Sequence, residues 1–282
     1  MLDAISAETL KLTRHKATWF LVWLYPIGFL LIALIATVVT LVNPQPPEPQ
    51  ALEEWLGGSA IVWQVPGNTM GRYLIAAYVA LVFAGEYGWN TWKLVVPHRA
   101  RGSLIAAKYA TAFGLLLIAY ALAAVISIFA NWFIDVLAGD PLPAGITAGG
   151  LLAVHGEKAL VSLAPALVTM GYASLAAVLT RSTLAAFVIA LVATTTEQLF
   201  YNFGPMLSLK APAITWALYH VLPGYHLANL GSWISEGKAL VSVFPRSGTL
   251  ELSWATSLAA AAAWIGGLIG LTFLTFRRQD LN

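Results

Sequence analysis

Long apolar runs alternate with short polar passages along this chain, and the run lengths govern the first reading. Six stretches, 18–42, 66–84, 105–137, 159–179, 184–200 and 254–276, approach or exceed the roughly 20 residues that cross a hydrocarbon core. The stretch 105–137 is longer than one crossing needs, which implies tilt or projection beyond the bilayer. Residues 213–222 and 225–234 are apolar but too short to span, and Pro223-Gly224 separates them, so they read as re-entrant or interfacial half-helices. The opening residues 1–17 mix Leu2, Ile5, Leu10 and Leu12 with charges, the pattern of a helix lying in the interface. Asn43–Gln50, NPQPPEPQ, is too rich in proline for helix, and the Gly/Pro-rich stretch 139–150 reads as a loop. The fold expected is an all-α polytopic membrane domain covering 1–282, with six transmembrane helices.

Composition supports this class. Only 10% of residues are charged and 59% are hydrophobic, against roughly a quarter charged in a soluble domain. No cysteine is present, which excludes disulfides and thiolate metal sites. The N-terminal run does not read as a cleavable signal.

Charge then orients the spans. Six crossings place Lys11, Arg14, Lys16, Lys93, Arg99, Arg101, Lys108, Arg181, Arg277 and Arg278 on one side. Arg72, Lys158, Lys210, Lys238 and Arg246 fall on the other. Lys and Arg accumulate on the cytoplasmic side, so both termini are expected there. Arg72, near the outer end of the second span, is expected to snorkel toward the headgroups.

The most polar passage between two spans is 85–104, GEYGWNTWKLVVPHRARGSL. Glu86, Asn90 and Lys93 recur at helical spacing with Trp89 and Trp92 beside them. This is the pattern of a short amphipathic helix at the membrane surface, its indoles in the interface and its charges in water. Pro97 ends it. A plain solvated loop is the alternative reading of the same residues.

That passage also carries a resemblance. The order Glu86, Thr91-Trp92-Lys93, Leu94, Pro97, Arg101, Lys108 resembles the first cytoplasmic loop of type-2 permeases of ATP-binding cassette exporters. The family pattern has Gly before the Thr, where this chain has Asn90. The resemblance implies that 85–104 forms a coupling helix docking on a separate ATPase, through Glu86, Trp89, Asn90, Thr91, Lys93, Pro97, Arg99 and Arg101. It also makes 1–17 an elbow helix along the cytoplasmic surface. Two permease copies, or one with a close paralogue, would form the pore in a bacterial cytoplasmic membrane. Two ATPase subunits beneath would hold ATP and Mg, with no cofactor or metal on this chain and no nucleic-acid partner. In the family, the region equivalent to 201–250 closes the outer end of the pore.

The remaining chemistry is sparse. No G-x-x-x-x-G-K-[ST] loop occurs, so ATP is not bound by that route. His220 and His226 are six apart, which is not a ligand spacing, and no carboxylate completes a set. Glu197 is the acidic residue deepest in an apolar run. A carboxylate there faces a cavity or a partner: it lines a translocation path with Phe200, Pro223 and Gly224, or it caps the next half-helix or pairs with Arg72 or Lys210. An amphipathic or lipophilic substrate (a drug, antimicrobial peptide or lipid-linked molecule) fits the apolar half-helices. Within the family, sodium extrusion and metalloenzyme maturation are alternatives. Outside it, a polytopic enzyme would need clustered catalytic residues at one face. An ion-coupled transporter would need repeats and several intramembrane charges.

Overall fold

A computed structural model describes residues 2–88, 92 and 100–280. Ten α-helices, one 3-10 helix and a two-stranded hairpin are described in it. Among the described residues, five helices are long and apolar enough to cross a membrane. The chain divides into two compact units, Met1–Val65 with Tyr109–Ala159, and Pro66–Lys108 with Leu160–Asn282.

In the first unit, α1 (Leu2–Arg14) turns Ala4 and Leu12 inward. His15 caps α2 (Lys16–Val42), its Nδ1 accepting from the Thr18 backbone N–H at 3.3 Å. At 27 residues α2 is about 40 Å long, enough to cross the core. Residues 44–50 hold no regular structure, as proline without an N–H dictates. Then come α3 (Leu52–Ser59) and a 3-10 helix, Ile61–Gly67. The unit takes most of α5 (Arg101–Ala138) and the start of α6 (Ala148–Thr180). Its core sets Val62, Ala123 and Ala124 against Phe29 and Trp63, with Tyr25 edge-on to Tyr120 at 4.6 Å. Two indoles secure the polar groups: Trp55 donates to Asp135 at 2.6 Å and Trp63 to His155 Nδ1 at 3.0 Å.

The second unit opens with α4 (Thr69–Gly88) and continues from α6 into α7 (Thr183–Leu207). Two short helices follow, α8 (Pro212–Val221) and α9 (Pro223–Glu236). Each starts on a proline, whose missing N–H costs nothing in a first turn. Two short helices thus occupy the apolar pieces 213–222 and 225–234, with their boundary at Pro223. A hairpin of β1 (Ser242–Phe244) and β2 (Gly248–Leu250) precedes α10 (Trp254–Arg278). Phe244 and Leu250 pack on Tyr219 and Tyr225, while Val168, Leu227, Leu230, Ala261 and Leu268 form a second core.

Three expectations change. The helix α6 starts at Ala148, not 159, because Thr147 Oγ1 accepts from the Gly150 N–H at 3.1 Å and so caps a turn containing glycines. The helix α7 runs on to Leu207 through Pro205, beyond the expected 200. The helix α4 runs on to Gly88, so Glu86 lies in its last turn and not on a surface helix. Arg72 and Glu86 near its ends make α4 the more polar helix, and it is not among the five apolar spans.

Candidate functional site

The helix α4 carries a buried charge near each end. Near its C-terminus, Lys108 of α5 donates to the Val82 carbonyl at 2.9 Å and to Glu86 Oε1 at 3.2 Å. Both side chains are buried, Lys108 at 2% exposure, where a lone ammonium would be untenable. The Trp92 ring adds its face, 5.2 Å from Nζ. The charges expected in water are thus enclosed here. Trp92 itself packs on Phe276 of α10 at 4.6 Å and on Tyr87 at 5.7 Å.

The C-terminal turn of α10 completes this cluster. Helix ends leave carbonyls unpaired, with a partial negative charge. Arg101 meets them, donating from Nη1 to the carbonyls of Arg277 at 3.0 Å and Gln279 at 2.5 Å. Gln279 accepts from the Tyr87 hydroxyl at 2.6 Å and donates to the Val178 carbonyl at 2.5 Å. Of the expected coupling residues, Glu86 and Arg101 are therefore brought to one cluster, with Lys108 and Trp92. Trp89, Asn90, Thr91, Lys93, Pro97 and Arg99 lie outside the described residues.

Near the other end of α4, Arg72 grips Glu197 of α7 with both nitrogens, Nη1 to Oε1 at 2.7 Å and Nη2 to Oε2 at 3.1 Å. Arg72 Nε donates to Thr169 at 2.7 Å, and Tyr172 donates to Glu197 Oε2 at 3.0 Å. Arg72 is buried, so it does not snorkel; the partner that the sequence offered as one alternative holds it inside. Flanking pairs follow the helical repeat: Thr69 bonds Gln198, and Tyr73 meets Thr195 at 2.5 Å. Together these pairs join α4 and α7 along a polar seam.

Glu197, Phe200 and Gly224 also line one crevice, with Tyr201, Tyr219, Leu222 and Tyr225. Its volume is about 10 Å³, room for about one water. Pro223 is buried beside it at the start of α9. Burial raises the Tyr219 phenol to about 12, so it remains a donor, and it bonds the Tyr201 carbonyl. His226 is fully buried and its Nε2 meets the His220 carbonyl at 3.0 Å, not the other ring. Burial lowers the His226 imidazole below its usual range.

Gly224 is required by close approach. A Cβ there would lie 3.1 Å from Tyr201 Cβ and 3.2 Å from the Glu197 carbonyl oxygen. Gly224→Ala is expected to destabilise the protein by about 1–3 kcal/mol through overpacking. Thermal unfolding of the purified chain checks this, and an unchanged midpoint would contradict the close packing of α9 on α7.

Residues 4–197 match the family model described as "ABC-2 family transporter protein". The chain belongs to the ABC-2 transporter family. No curated protein and no solved structure matches it. This ABC-2 protein is thus the membrane subunit of an ABC transporter, and ATPase activity lies in separate subunits. The match ends at Glu197, so α8, α9, the hairpin and α10 lie beyond it. Sequence reasoning missed Tyr87, Thr169, Tyr172, Phe276 and Gln279. Each contributes through a partner distant in sequence, and none forms a motif.

Proposed function

We propose that this chain is the permease of an ATP-driven exporter in a bacterial cytoplasmic membrane, with six spans and both termini inside. The observation that carries the reading is the mounting of 85–104. Trp92 within the segment and Arg101 near its end both rest on the C-terminal turn of α10, while Lys108 and Glu86 close its base. In this reading Lys93, Pro97 and Arg99 of the same segment act on the ATPase. Two ATPase subunits, each with ATP and Mg, push on the coupling segments of two permease copies or of one with a paralogue. The cargo is amphipathic or lipophilic and leaves past Glu197, Phe200, Pro223 and Gly224. In this reading the narrow crevice they border is the outer gate in its closed form, and Glu197 is the wall that holds α4 to α7.

Lys93→Glu tests the reading without disturbing a described contact. In the assembled complex, cargo moved per ATP hydrolysed is expected to fall roughly tenfold, the size of about 1.4 kcal/mol at a charged interface. Insertion and thermal stability should stay as in the wild type. An unchanged ratio of transport to hydrolysis would remove Lys93 from the coupling surface.

A further inference from the structure

Three residues of the coupling segment, one near its start, one in its middle and one near its end, converge on one turn elsewhere in the chain. Tyr87 ends on the Gln279 side chain at 2.6 Å, Trp92 on the Phe276 ring at 4.6 Å, and Arg101 on the carbonyls of Arg277 and Gln279. We infer that the C-terminal turn of α10, Phe276–Gln279, is the seat of the coupling segment, and that Gln279 is its positioning residue. This rests on the reading of 85–104 as the coupling segment.

Gln279 is suited to the task by its chemistry. Its amide oxygen accepts from Tyr87 while its amide nitrogen donates to the Val178 carbonyl at 2.5 Å. Val178 lies in the last turn of α6, where carbonyls lack helical partners. The Gln279 backbone carbonyl accepts from Arg101. A neutral amide both donates and accepts, which neither a carboxylate nor an ammonium does. One side chain thereby joins the ends of α4 and α6 to α10, and its backbone receives Arg101 from α5. A displacement of the segment is delivered through it to α6 and α10. Those two helices pack on α9 through Val168, Leu227, Leu230, Ala261 and Leu268, and α9 begins beside Glu197. The seat thus connects the coupling segment to the crevice through packed helices.

The test uses the full chain in phospholipid nanodiscs. It has no native cysteine, so nitroxides attach only at Ala100→Cys and Leu271→Cys, both exposed. With the labelled chain diluted in an excess of unlabelled cysteine-free chain, so that each pair of copies holds at most one labelled chain, pulsed electron paramagnetic resonance should give one narrow distance in the otherwise wild-type chain. Gln279→Ala removes both side-chain bonds and should raise the population outside that peak roughly tenfold. Gln279→Glu keeps the shape and the acceptor but loses the donor to Val178, so it should broaden the distribution even if the Ala variant folds poorly. Tyr87→Phe should broaden it less, and Tyr87→Phe with Gln279→Ala no more than Gln279→Ala alone. A wild-type distribution in folded Gln279→Ala or Gln279→Glu overturns the seat. Cargo moved per ATP is then measured on the complex containing Gln279→Glu and should fall with the broadening. If the distance broadens while that ratio is unchanged, the seat stands and the coupling role of 85–104 fails.

Discussion

Glu197→Gln is expected to lower the stability of the protein by about 3–5 kcal/mol, the usual cost of breaking one side of a buried ion pair. The Arg72 and Glu197 side chains are 3% and 4% exposed, so water does not replace the lost charge. The amide keeps the shape and one acceptor, but its NH₂ would face an Arg72 nitrogen, donor against donor. Arg72 would retain Thr169 and a weakened contact with residue 197. The helix α4 would then loosen from α7 along the seam that Thr69 and Tyr73 flank. Replacing both partners, Arg72→Met with Glu197→Gln, should recover much of the loss because no charge is left stranded. Thermal unfolding and transport per folded complex are measured on the same preparation. Lower stability with transport retained within about twofold marks Glu197 as an anchor. Full stability with lost transport would make it a cargo-contacting group and contradict this assignment.

Glu86→Ala is expected to have an effect of the same order, about 3–5 kcal/mol, because the buried Lys108 loses this carboxylate partner. Lys108 would keep the Val82 carbonyl and the Trp92 ring but lose this carboxylate. Its side chain is 2% exposed, so water does not replace the lost carboxylate. The variant should therefore accumulate poorly in the membrane and unfold at lower temperature, before any question of coupling arises. Adding Lys108→Met should restore folding by removing the charge that Glu86 neutralises. A Glu86→Ala protein with wild-type stability and clean loss of coupling would show instead that Glu86 acts directly on the ATPase.

Much of the helical framework is written in one-dimensional pattern. The run 18–42 became Lys16–Val42 and the run 254–276 became Trp254–Arg278, because apolar length and charged ends are local signals. The two short helices α8 and α9 were legible because Pro223-Gly224 separates two apolar pieces too short to span. The start of α6 was hidden by Gly149 and Gly150, which read as loop until Thr147 is seen to cap them. The hairpin Ser242–Leu250 was hidden too, since its strands are three residues each and are held by Tyr219 and Tyr225 from other elements. Pairing was least legible. Arg72 and Glu197 are 125 residues apart, and sequence offered that pair only as one of several partners. Burial of Glu86 was misjudged because a carboxylate before a basic loop looks solvated until Lys108 is seen to fold back on it. Gln279 carried no signal, being one amide after a basic pair.

The central claim is that 85–104 meets the ATPase, and site-directed cross-linking reads this contact directly. Cysteine is placed at Lys93 in the cysteine-free chain, the complex is assembled with its ATPase, and a short photoactivated thiol reagent is attached and illuminated. The expected result is an adduct between position 93 and the ATPase subunit, identified by mass spectrometry, with none from a cysteine at Gln45. An ATPase that co-purifies yet forms no adduct from position 93, or forms one from position 45, would contradict the account.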